Sequence, residues 1–183
     1  IRDNGDGSYT LSLDVKGSSR TETTPGESGE PLDIVLVLDM SGSMDEDFGA
    51  SSSKKIDALK TAVSTFVDST AAQNDKISDL AKQHRISIVK FAGNKYDEIG
   101  DDTYWVYNYS QRVTELTAYT TASSDDVKSV INFLDPKGAT RADYGMQLAQ
   151  SELTENGRPD AKKVVIFFTD GDPTSGNEFE SSV

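Results

Sequence analysis

Asp39, Ser41 and Ser43 form a D-x-S-x-S set at the end of the apolar run 34–38, and Thr140 and Asp170 lie further along the chain as donors that can complete it. Two carboxylates and three neutral hydroxyls make an oxygen-only set, suited to a small hard divalent ion whose coordination shell is left open for a ligand. Such a site binds; it need not catalyse. Taken singly, Asp39 and Asp170 read as strand-end turn or helix-cap residues, and it is the arrival of all five together that points to a cation. Asp45 and Asp172 lie nearby but outside the pattern and read as solvated. His84, the single histidine, has no partner in view and reads as a surface residue.

The donors need elements to bring them together. Residues 34–38 are continuously apolar, as in a parallel strand covered on both faces. Residues 55–72 follow as a helix, with Ile56, Leu59, Val63, Phe66 and Val67 recurring at three- and four-residue steps. A second strand is expected over 85–92, helices over 125–134 and 143–153, and a third apolar strand over 164–169 that ends in the turn signature Asp170-Gly171-Asp172-Pro173. Alternating strands and helices predict a doubly wound α/β domain. In such sheets ligands bind beyond the carboxyl ends of the strands, where the strand order reverses. Asp39 and Asp170 both sit at strand ends, so they share one crevice if their strands are neighbours. Gly42 allows a tight turn between the two serines, and Thr140 comes from the loop between the last two helices.

Other segments are less regular. Tyr9, Leu11, Leu13 and Val15 alternate within residues 8–16, the period of a half-buried strand, and the polar stretch 17–31 reads as a linker. The run Asp3-Asn4-Gly5-Asp6-Gly7 reads as a turn, since its oxygen spacing does not fit a calcium loop. Residues 93–124 carry Tyr96, Tyr104, Trp105, Tyr107, Tyr109 and Tyr119, with a further strand expected around 111–116; the rings are expected to cover the sheet edge or the first helix. The sheet is expected to continue beyond Val183, because the 164–169 strand would otherwise present an unpaired edge. The organisation is therefore 1–17 as a strand of a flanking β domain, 18–31 as linker, and 32–183 as the α/β domain, incomplete at its C-terminus.

Composition narrows the function. Eighteen Lys and Arg against 31 Asp and Glu give a formal net charge of −13, which opposes binding to nucleic acid or anionic lipid. The absence of cysteine removes disulfides, thiolate metal sites and cysteine nucleophiles. No apolar run reaches the roughly 20 residues that span a bilayer. No basic-then-apolar leader opens the sequence, so an export signal, if the parent protein has one, is expected outside this segment.

Asp39-Met40-Ser41-Gly42-Ser43, Thr140 and Thr169-Asp170-Gly171, in this order and in this strand and helix context, resemble the metal-ion-dependent adhesion site of von Willebrand factor A (vWA) domains over roughly residues 32–183. The resemblance implies a Rossmann-like sheet. It also implies Ser41, Ser43 and Thr140 as hydroxyl ligands, directly or through water, with Asp39 and Asp170 as the charged partners. Magnesium suits this set, preferring octahedral oxygen and keeping several waters, and calcium or manganese can substitute. A Glu or Asp of a partner would fill the open position. An alternating strand and short linker ahead of the domain further resemble the tip adhesins of sortase-assembled pili on Gram-positive bacteria, in which the A domain is inserted into an immunoglobulin-like stalk. That resemblance implies a cell-wall, pilus-tip location, a host or extracellular-matrix protein as ligand, other pilus subunits as partners, and Lys16 as a candidate for a Lys-Asn isopeptide bond.

Two alternatives compete with an adhesin. One is an intracellular vWA assembly factor of a multiprotein complex, which the stalk-like strand opposes. The other is a metal-dependent hydrolase or phosphotransferase. Met40-Ser41 stands where a D-x-D phosphotransferase needs its second acid, no G-x-S-x-G elbow occurs, and the lone histidine has no evident triad, so no enzymatic activity is expected.

Overall fold

The computed structural model describes residues 2–3, 9–10, 29–47, 53–93, 98–99, 102–103 and 109–171. In chain order its elements are β1 (Arg2–Asp3), β2 (Tyr9–Thr10), β3 (Leu32–Asp39), α1 (Lys55–Asn74), β4 (Arg85–Phe91), β5 (Glu98–Ile99), β6 (Asp102–Thr103), β7 (Gln111–Arg112), α2 (Ser124–Asn132), α3 (Ala142–Glu155) and β8 (Lys162–Phe168). Short 3₁₀ turns occupy Gly42–Asp45 and Leu80–Lys82.

The main sheet has the order β7-β4-β3-β8. β3 runs parallel to both neighbours, pairing Asp33 with Arg85 and Asp39 with Phe91 on one side, and Leu32 with Lys162 and Leu38 with Phe168 on the other. β7 is antiparallel to β4. The chain therefore moves outward from β3 through β4 to β7, then returns past β3 to place β8 on its far side. That reversal makes the carboxyl ends of β3 and β8 the switch point of a doubly wound α/β sheet.

Alternation along β3 explains its continuous apolar character. Ile34, Leu36 and Leu38 face α1 and α2, packing with Ile56, Leu59, Val63 and Val67 of α1 and Val127 and Ile131 of α2. Val35 and Val37 face the opposite side with Val89, Phe91, Ala149 and Leu153, beneath α3. A strand buried on both faces cannot afford polar positions between its ends, and its two aspartates, Asp33 and Asp39, sit at those ends. Gly145 brings α3 close to the sheet: a Cβ there would lie 2.8 Å from both Phe91 and Val37 side-chain atoms.

Three expectations need correction or restriction. The strand expected over 111–116 is paired as a strand only at Gln111–Arg112, with an isolated bridge between Ile86 and Thr117. Between them the pairing is irregular: the Ile88 carbonyl accepts from both Val113 and Thr114 N–H at 2.8 and 3.2 Å, while Ile88 N–H donates to Thr114 Oγ1 at 3.0 Å and Ser87 Oγ donates to the Thr114 carbonyl at 2.7 Å. His84 is not a free surface residue. It is half-buried, and its Nδ1 accepts from Leu32 N–H at 3.1 Å. Burial, followed by the nearby Arg158 charge, lowers its pKa from 6.5, which favours the neutral ring that can accept this bond. Of the strand expected over 8–16, β2 pairs antiparallel with β1, while Leu11, Leu13, Val15 and Lys16 lie outside the described residues. So do Tyr96, Tyr104, Trp105, Tyr107 and Asp172. Tyr119 is buried in the α1/α2 core with Tyr109 packed against it, as expected of rings that cover the sheet. Asp45 is 58% exposed and paired with Lys54, in line with a solvated residue.

Candidate metal centre

β3 ends at Asp39, whose side chain is fully buried. Its Oδ1 accepts from Ser41 N–H at 2.8 Å, which bends the chain back over the carboxylate and starts the 3₁₀ turn. Ser41 Oγ lies 3.1 Å from Ser43 Oγ, and Ser43 Oγ donates to Asp170 Oδ1 at 3.0 Å. Asp170 follows β8 by two residues, so the parallel pairing of β3 and β8 carries it to Ser43 across 127 positions of sequence. Four of the five residues picked out by sequence thus form one hydrogen-bonded set.

The loop before α3 is stitched to both neighbouring strand ends. Gly42 N–H donates to the Gly138 carbonyl at 2.8 Å and Lys137 N–H to the Met40 carbonyl at 2.8 Å. Gly93 and Ala139 exchange backbone hydrogen bonds in both directions. Gly138 has φ +78°, and a Cβ on it would lie 2.6 Å from the Gly93 carbonyl oxygen, so only glycine fits this position. Thr140, two residues on, is 9% exposed. Its loop is therefore fixed against the Met40–Gly42 backbone.

Two participants lie outside the five candidate ligands. Thr169 Oγ1 donates to Asp39 Oδ2 at 2.8 Å, so both Asp39 oxygens are held. Lys55, the first residue of α1, donates from Nζ to Asp170 Oδ2 at 2.8 Å and to Glu46 Oε2 at 2.9 Å. One sequence signal could have flagged Lys55: a cation at a helix N-terminus opposes the helix dipole and calls for an anion nearby.

Burial pushes the Asp39 carboxyl pKa above 3.8 despite the opposing hydrogen bonds from Ser41 and Thr169, and the Asp170 charge adds to the rise. Among the described residues no ion pair offsets Asp39. A buried carboxylate of this kind favours a nearby cation. The two serine hydroxyls lie 3.1 Å apart and Ser43 Oγ lies 3.0 Å from Asp170, hydrogen-bond distances that leave these oxygens close enough together to share one small oxygen-seeking ion. Among the described residues no group of three or more His, Cys, Asp or Glu could hold a metal.

Comparison with known proteins places this geometry. The von Willebrand factor type A domain family matches residues 34–172. No curated protein matches by sequence. Among solved structures, the pilus adhesin SpaC from Lactobacillus rhamnosus GG is 25% identical with a TM-score of 0.56, covering 82% of this chain and 16% of its own. The vWF domain of the type V pili tip protein Mfa5 from Porphyromonas gingivalis is 18% identical with a TM-score of 0.55, over 78% of this chain and 38% of that one. The pilus adhesin RrgA from Streptococcus pneumoniae is 21% identical with a TM-score of 0.55, over 79% and 21%. This chain thus spans well under half the length of each of these relatives. Its sheet order, its D-x-S-x-S turn at the switch point and the family match over 34–172 agree, and the chain belongs to the von Willebrand factor type A domain family.

Proposed function

We propose that this vWA domain is a non-catalytic adhesion module that binds a host or matrix protein through a divalent cation, magnesium in the first instance, with calcium or manganese able to substitute. The observation that carries the reading is the continuous hydrogen-bonded contact from buried Asp39 through Ser41 and Ser43 to Asp170, at the switch point of the sheet. Ser41, Ser43 and Thr140 would supply hydroxyl oxygens, and Asp39 and Asp170 the balancing charge. When bound, the ion supplies an electrophilic position for a carboxylate of the partner. The protein's own residues do the rest: Thr169 and Ser41 N–H orient Asp39, and the loop that leads into Thr140 is fixed through Lys137 and Gly138 to the Met40–Gly42 backbone.

The similarity to pilus adhesins supports a place at the cell surface, at a pilus tip, among other pilus subunits. No described helix is long and apolar enough to cross a membrane. The net charge of −13 disfavours nucleic acid as a partner.

The test is attachment of the full-length protein to immobilised matrix proteins in magnesium, after chelation, and as the Asp39→Ala variant. Chelation should abolish attachment and Asp39→Ala should reproduce the effect in magnesium. Attachment that survives both changes would refute the reading.

A further inference from the structure

Lys55 stands apart from the rest of the site because it brings positive charge to a place built for a cation. Its Nζ holds Asp170 Oδ2 at 2.8 Å while Asp170 Oδ1 accepts from Ser43 at 3.0 Å, so each carboxylate oxygen has its own partner. The Asp170 side chain is 12% exposed and that of Lys55 23%, whereas Glu46, on the outer side of the ammonium, is 66% exposed. Water therefore screens the Glu46 contact far more than the Asp170 contact.

Resting on the cation-site reading above, we propose that Lys55 is a built-in counter-charge that sets the affinity and selectivity of that site. Its first effect is on charge. Asp39 and Asp170 together would neutralise a divalent ion; with the ammonium on Asp170 they do not, and a net positive charge is left for a partner's carboxylate to satisfy. The domain thereby gives up part of its affinity for the free cation and gains dependence on the acidic partner. Its second effect is on geometry. With Oδ2 occupied, Asp170 offers one oxygen, which suits magnesium; calcium takes more ligands and readily uses both oxygens of a carboxylate. Lys55 is thus a positioning residue acting through Asp170.

The experiment is calorimetric titration of magnesium and of calcium into the full-length protein as wild type, Lys55→Met and Lys55→Arg, with Asp39→Ala as the blank for ions bound elsewhere. Melting curves without cation establish that each variant is folded, and Lys55→Gln replaces Lys55→Met if the latter is not. Lys55→Met is expected to bind magnesium at least about tenfold tighter, since a like charge beside the site is removed. Calcium should gain more than magnesium, and Lys55→Arg should stay near wild type. A merely structural lysine would give unchanged or weaker binding on removal. That result in a folded variant, or an Arg variant as tight as the Met variant, overturns the proposal while leaving the cation site standing. If neither wild type nor Lys55→Met binds above the Asp39→Ala blank, the cation site itself fails and this proposal with it. Binding seen only in Lys55→Met supports the proposal.

Discussion

Replacing Asp33 by Asn should destabilise the domain by about 3 kcal/mol at neutral pH and remove part of its acid sensitivity. Asp33 begins the buried part of β3 and is fully buried. Arg85 donates to it from Nε at 2.8 Å and Nη2 at 2.6 Å, and Arg158 donates from its backbone N–H at 2.6 Å and from its side chain at 2.8 and 3.0 Å. Burial alone would raise the Asp33 pKa, but the Arg85 and Arg158 hydrogen bonds outweigh it and lower the value from 3.8 to about 2. A carboxylate so depressed contributes stability above its unfolded pKa and loses it as pH falls through the folded one. At about 1.36 kcal/mol per pH unit this is worth about 2 kcal/mol at neutral pH, with roughly half gone by pH 3. Removing one partner of a buried ion pair costs about 3–5 kcal/mol. The lower end applies because the Arg85 and Arg158 side chains, 21% and 18% exposed, can rehydrate. Urea unfolding of wild type and Asp33→Asn from pH 7 to pH 3 checks this: the gap between them should be about 3 kcal/mol at pH 7 and shrink by about 1 kcal/mol at pH 3. A gap below about 1 kcal/mol at pH 7, or one that widens in acid, refutes the reasoning.

Two further outcomes concern the site's supports. Gly138→Ala forces a side chain into the left-handed region against the Gly93 carbonyl, and should cost about 1–3 kcal/mol in unfolding free energy while weakening magnesium binding through the displaced Thr140 loop. Thr169→Val removes the hydroxyl that holds Asp39 Oδ2 but keeps the shape, and should weaken magnesium binding roughly tenfold by calorimetry with a small change in melting temperature.

Much of this domain is legible in its sequence because the signals are local. The stripe Ile56, Leu59, Val63 and Val67 announces α1, and the unbroken run 34–38 announces a strand covered on both faces. Helices and strands are found within a few residues of their expected places. The segment 111–116 is not a full strand because Val113 and Thr114 N–H converge on one Ile88 carbonyl while the Thr114 hydroxyl takes the Ile88 N–H, an irregularity that hydrophobic period does not report. His84 was misread because its partner, Leu32 N–H, lies 52 residues away.

The same division holds at the site. Residue type and spacing singled out Asp39, Ser41 and Ser43 as one oxygen-rich turn, since all three lie within five residues of one strand end. That Asp170 reaches Ser43, that Thr169 holds Asp39, and that Lys55 occupies the other Asp170 oxygen were decided only by the tertiary structure. So was the Asp33, Arg85 and Arg158 clamp at the opposite end of the same strands. Hydrophobic periodicity is written in neighbouring residues, whereas contacts across more than a hundred positions depend on strand order and register. In this fold those are set by the crossover that carries β8 past β3.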